Sequence, residues 1–205
     1  MAIQISEAPA AGLRLVLETL SLPDQPFQSQ PAVPGAVRAP AGPVAAAAPL
    51  DPVRKPYPVF TATIRRLFGG GGLKSAQLTA WQYVIQAGET ARSVAEVAVA
   101  DFTGEPEEGL VYASEQPPSY GDALIAAIED AKTRPEVTVR DYELRVLRVP
   151  DLDVLAIWLH GENEELLRLV RGKRATLAAP GWVGEARLLE ALNPLAEIRQ
   201  TANDR

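Results

Sequence analysis

The chain contains no cysteine and only one histidine among its 205 residues. Without cysteine it cannot form a disulfide bond, a thiolate metal site or a cysteine nucleophile. A single histidine is a poor basis for a zinc site, because such sites need three or four ligands. The composition therefore excludes several classes of metalloprotein and enzyme, and we expect neither a metal nor a cofactor.

Long apolar segments are also missing. No stretch approaches the roughly 18 apolar residues of a membrane-spanning helix. The N-terminal apolar run is preceded by no basic residue and is interrupted by Glu18, unlike a signal peptide. These absences predict a cytoplasmic protein with no membrane span.

Positive charge is scarce, since 20 Lys and Arg against 26 Asp and Glu give a net charge of -6. Nucleic-acid binding needs a basic face, so we expect no nucleic-acid partner. The one local basic cluster noted in the sequence is predicted to be a solvated strand end; it comprises Arg168, Arg171, Lys173 and Arg174. The acidic balance also fits an inhibitor or immunity-type protein that binds a basic partner, because complementary charge steers association.

Proline, by contrast, is concentrated in one segment. Ten of the 36 residues from 23 to 58 are proline, which fixes φ and removes a backbone donor. The segment therefore predicts an extended linker. It separates an N-terminal apolar peptide, residues 1–22, from a body at residues 59–205. This layout is typical of a docking peptide tethered to a domain.

The N-terminal peptide has apolar residues at the spacing of one helix face, namely Leu13, Val16, Leu17 and Leu20. Alternate leucines in the same stretch also fit a strand, so both interpretations stay open. A peptide this short is marginal as an isolated helix and needs a surface to fold against. That surface belongs either to the protein's own body or to a partner. Residues 1–11 are predicted to be a disordered end.

The body predicts an α+β domain, with a mostly antiparallel sheet of five to six strands and one or two helices packed on one face. Trp81, Tyr83 and Ile85 alternate with Gln82, Val84 and Gln86, as on a half-buried strand. Residues 137–149 are predicted to form one long strand. Residues 154–159 are apolar without alternation, which indicates a strand covered on both faces.

The only histidine, His160, follows that apolar strand and lies close to Glu162. With Trp158 they could form the site of a small-molecule-binding protein or a hydrolase-type enzyme, because an imidazole beside a carboxylate can move a proton. The other interpretation is a strand-end histidine hydrogen-bonded to a turn.

Two loop segments carry further sequence features. Four glycines at residues 69–72 precede Leu73 and Lys74, but a P-loop requires glycine directly before the lysine, so the run indicates a hinge. Trp182 follows a Pro-Gly pair and is predicted to be an exposed anchor for a protein partner.

Residues 142–150 (YELRVLRVP) and 156–159 (AIWL) together resemble a segment of uncharacterised bacterial proteins. The resemblance covers roughly residues 80–170. It implies a shared fold unit and a bacterial origin, and it carries no activity and no functional residue.

The leading hypothesis is a non-enzymatic protein-interaction module, such as an adaptor, a cargo protein or an assembly subunit, whose N-terminal peptide docks on a partner. Self-association is also open. The two alternatives are the enzyme or small-molecule binder with a site at Trp158, His160 and Glu162, and the acidic inhibitor or immunity-type protein.

Overall fold

The structure is a computed structural model that describes residues 3–21, 56–87, 90–99, 110–116, 118–172 and 181–203. Most of the predicted linker lies outside these ranges. None of the helices within them has the length and apolar character needed to cross a membrane.

One mixed sheet of nine strands forms the centre of the described residues. The strands are β1 Ile3–Gln4, β2 Tyr57–Thr61, β3 Gln77–Ala87, β4 Thr90–Val99, β5 Leu110–Gln116, β6 Tyr142–Val149, β7 Val154–His160, β8 Glu165–Arg171 and β9 Val183–Gly184. Their order is β5-β4-β3-β2-β6-β7-β8-β9, and β1 pairs with β6. Only the β1–β6 and β2–β6 pairs are parallel among these strands. The α+β prediction is confirmed, with more strands than expected.

Helices cover both faces of this sheet, whereas the sequence predicted helices on one face. The helices are α1 Ala10–Ser21, α2 Ile64–Arg66, α3 Pro118–Lys132, α4 Pro135–Val139 and α5 Glu185–Asn203. One face packs against α3 and α4. The opposite face is covered by α5 over β6 and β7 and by α1 over β3 and β4. Irregular turns at Leu67–Gly71 and Gly72–Ser75 continue the chain after α2.

Strand β3 shows why both faces are covered. Trp81, Tyr83 and Ile85 pack under α1, while Ala80 and Val84 face the side of α3. All residues from 81 to 86 are buried, so the prediction of a half-buried strand is wrong. Strand β7 is buried on both faces as predicted, with Ile157 toward α3 and Trp158 toward α5.

Two local predictions are corrected. Residues 137–149 are not one strand, because α4 occupies Pro135–Val139 before β6 begins at Tyr142. Pro135 stands at the start of α4, where its fixed φ suits the first helical turn. The N-terminal end is also ordered in part, since Ile3 pairs with Tyr142 and Ile5 packs against the core on the α3 side.

A buried polar chain crosses the face under α3. Tyr120 Oη donates to Gln82 Oε1 at 2.8 Å, and Gln82 Nε2 donates to Glu96 Oε2 at 3.0 Å. Arg148 Nη1 donates to Glu96 Oε1 at 2.8 Å, and its Nη2 contacts Oε2. The chain thus ties α3 to β3, β4 and β6. Burial raises the pKa of Glu96, but Arg148 and Gln82 together outweigh it and hold the pKa below its ordinary value.

Candidate functional site

The N-terminal peptide is a helix, α1, that contacts its own sheet at β3, β4 and β5. Val16 is fully buried against Trp81, Tyr83 and Ile85. Leu13 and Leu17, one turn apart, stay 40% and 44% exposed. The structure therefore divides the predicted binding residues into one docking side chain and two outward side chains. The side chain of Leu20 lies outside the described residues.

Beneath α1 lies an unpaired hydroxyl. Tyr83 Oη is buried and makes no hydrogen bond in the described structure. Burial raises the pKa of Tyr83 to about 12. Because a buried polar atom without a partner is costly, the packing between α1 and the sheet is imperfect at this point.

Trp182, the predicted anchor, is not part of this surface. Its ring packs against the core on the α3 side, and its Nε1 donates to Asp130 Oδ2 at 2.7 Å. Arg168 contacts the same carboxylate. The hydrogen bond from Trp182 and the charge of Arg168 hold the pKa of Asp130 below its ordinary value. Trp182 is thus partly buried and fastens β9 to α3, which differs from the exposed position that was predicted.

His160 is paired with Glu165, and not with Glu162 as the sequence proximity indicated. His160 Nδ1 lies 2.8 Å from Glu165 Oε1, and Trp158 Nε1 donates to Glu165 Oε2 at 2.6 Å. Glu162 is exposed in the turn between β7 and β8. The signal for Glu165 was the short turn, because a hairpin closing at residues 161–164 sets His160 directly opposite Glu165.

The His160 side chain lies at the end of a row of aromatic and charged groups on the α5 face. Arg145 Cζ is 4.5 Å from the ring centroid of Phe60 and 4.9 Å from that of Trp158. Arg145 also pairs with Glu143, which accepts a hydrogen bond from Ser6. Burial raises the pKa of Glu143, but Arg145 and Ser6 together hold it below its ordinary value. The charged side chains of this row therefore neutralise each other, which is typical of residues that stabilise a fold.

Two clefts are lined by described residues other than His160. One, of about 430 Å³, is lined by the turns before β6 and after β7. There Glu164 pairs with Arg140 and accepts a hydrogen bond from Tyr142 Oη at 3.0 Å. The other cleft is a wide-open surface depression of about 680 Å³ that borders the glycine run at residues 69–72. Within the described ranges no cluster of three or more His, Asp or Glu side chains could hold a metal ion.

Comparison with protein-family models, with curated proteins and with solved structures finds no match to this chain. Its function must therefore be inferred from the site geometry alone.

Proposed function

We propose that the protein is a non-enzymatic protein-interaction module and that α1 is its binding element. The observation that carries the proposal is the exposed pair Leu13 and Leu17 on the flank of a helix that Val16 fixes to the sheet. Only one other large apolar side chain in the described residues is exposed, Val139 on α4. The two leucines form one ridge because they are separated by four residues.

The proposed partner is a protein with an apolar groove and a basic rim. An amphipathic helix binds such a groove through anchors spaced by three or four residues. Burying the part of each leucine that is still exposed, 40% of Leu13 and 44% of Leu17, would contribute roughly 1 kcal/mol each before the costs of association. The net charge of -6 favours a basic partner, since complementary charge raises the association rate and excludes other acidic proteins. An inhibitor or immunity-type protein that binds a basic target through α1 would be one case of this proposal.

The test compares a double variant, Leu13→Asp and Leu17→Asp, with a control variant, Val139→Asp. Full-length tagged proteins are used to capture partners from an extract of the source cells, and a peptide of residues 10–21 is added as competitor. We expect a basic protein that the wild type and the Val139 variant retain, and that the double variant and the competitor release. Identical capture by the wild type and the double variant, with circular dichroism showing both folded, would refute the role of α1.

A second candidate rests on the contact between His160 and Glu165. A carboxylate on Nδ1 orients an imidazole for proton transfer, as in acid–base catalysis. The same capture experiment with His160→Gln and Glu165→Gln tests whether this pair contributes to partner binding. Unchanged capture by these variants favours the α1 surface, whereas loss of the partner would move the binding site to the end of β7 and β8.

A further inference from the structure

Three cationic side chains, Arg65, Arg66 and Lys74, line the cleft of about 680 Å³. None of the three forms an ion pair within the described part of the chain. Six other arginines there each contact a carboxylate: Arg134, Arg140, Arg145, Arg148, Arg168 and Arg171. In a chain of net charge -6, these residues bring three positive charges to one place on the surface. Their positive field is open to an anion from solution.

The glycine run beside these cations keeps the cleft accessible. Gly71 is required by packing, because a Cβ there would lie 2.7 Å from Ser75 Cβ and 2.9 Å from the Arg66 carbonyl oxygen. Gly69 has no such requirement. Its φ is -79°, which other residues adopt, and a Cβ would meet no atom within 4 Å. The absence of a side chain at Gly69 leaves the surface beside the cations open.

The lining also indicates what kind of anion fits. The amide of Leu73 already donates to Glu185 Oε1 at 2.7 Å, so this backbone donor is engaged within the chain, unlike the free amides of a P-loop. Recognition is therefore left to the cationic side chains, because Ser75 Oγ already donates to the Gly72 carbonyl oxygen at 2.7 Å and Gln77 Oε1 accepts from Arg66. No aromatic or large apolar residue lines the cleft, so a nucleobase would find no stacking surface. A compact anion of high charge fits better than a nucleoside.

We propose that this cleft binds a compact phosphate anion, with inorganic pyrophosphate as its simplest probe. Two guanidinium groups can each hold a phosphate through paired hydrogen bonds, and Lys74 supplies a third positive charge. Arg66 Nη1 is already held by Gln77 Oε1 at 2.6 Å, so part of this arrangement is preformed. The proposal is independent of the α1 surface.

The test is isothermal titration of the full-length protein with pyrophosphate, phosphate and citrate in 150 mM salt, about the physiological ionic strength. We expect saturable binding of pyrophosphate that weakens at least about tenfold in the double variant Arg65→Gln and Arg66→Gln, the loss of one charge-assisted contact being worth about that factor. Lys74→Gln, which removes the third positive charge, should also weaken binding, and its matched control is Lys132→Gln. Lys132 lies on α3, on the opposite face of the sheet, and its replacement should change affinity less than about twofold.

A further variant, Gly69→Glu, places a carboxylate at the cleft from a position where a Cβ meets no atom within 4 Å, and it should abolish binding while the fold is retained. Circular dichroism verifies that each variant is folded. Absence of saturable binding by pyrophosphate and phosphate would overturn the proposal, as would equal weakening in the Lys132 variant. Citrate binding as tightly as pyrophosphate would overturn the assignment to phosphate chemistry.

Discussion

The buried pair of Glu96 and Arg148 allows a prediction whose magnitude follows from the structure. The Glu96 side chain is 6% exposed and that of Arg148 is 26% exposed. Removing one partner of a buried pair leaves an uncompensated charge and costs about 3–5 kcal/mol. Arg148→Met leaves Glu96, the more deeply buried partner, without its charged neighbour, so we expect about 4 kcal/mol of lost stability. Glu96→Gln leaves Arg148 without its carboxylate partner, but the Arg148 side chain is partly exposed to water, so we expect a smaller loss of stability of about 3 kcal/mol.

The assay is urea unfolding at pH 7, followed by circular dichroism, on the wild type, both single variants and the double variant. The double variant should lose less stability than the sum of the single losses, because no lone charge remains. Lys132→Met is the control, since Lys132 pairs with Glu129 at the surface with both side chains about half exposed. It should change stability by less than about 1 kcal/mol. Single losses as small as that of the control, or strictly additive losses, would refute the reasoning.

The same pair gives a pH dependence. The folded-state pKa of Glu96 lies below its ordinary value of 4.5, so folding favours the ionised carboxylate. Its contribution is therefore fully present above pH 4.5 and is lost as the pH falls through the lower folded-state pKa. The Glu96→Gln variant should lose stability less steeply than the wild type between pH 5 and pH 3, a range of about one to two units around that ordinary value. Parallel acid-unfolding curves would contradict this assignment.

Three further substitutions test the packing. Gly161→Ala should cost about 1–3 kcal/mol, measured by thermal unfolding, because a Cβ there would lie 2.9 Å from both the buried Tyr142 ring and the Glu164 carbonyl oxygen; an unchanged melting temperature would contradict the close approach. Tyr83→Phe removes a buried hydroxyl without a partner and should leave urea stability equal or higher, and a loss above about 1 kcal/mol would show that the hydroxyl is satisfied. Pro194→Ala should stabilise α5 by up to about 3 kcal/mol, since a proline inside a helix removes a backbone donor, and a lower urea midpoint would contradict it.

The sheet could be predicted from the sequence because strand periodicity reports burial. Residues 154–159 were apolar throughout and form β7, which is buried on both faces. The covering of β3 could not be predicted, because Gln82 looks like a solvent-facing residue in an alternating strand. It is buried because Glu96 and Tyr120, distant in sequence, satisfy its amide. Local pattern does not contain that information.

The candidate site, like the sheet, could be predicted from the sequence only in part. The apolar spacing of α1 was visible in the sequence, and it predicted a helix face correctly as one of two interpretations. Which side of the helix docks was not visible, because Val16, Leu13 and Leu17 are equally apolar and only the shape of the sheet selects Val16. The pairing of His160 with Glu165 depends on strand register, which a four-residue turn specifies only once both strands are placed.

Hydrogen exchange over residues 3–21 of the full-length protein tests most directly the claim that α1 has a docking side and a binding side. We predict that α1 amides are protected in the wild type, that Val16→Asp raises their exchange to the rate of an unfolded peptide, and that Leu13→Asp with Leu17→Asp leaves the protection in place. The amides of β7 should be unchanged in both variants. Unprotected α1 amides in the wild type, or the same loss of protection in both variants, would contradict the account.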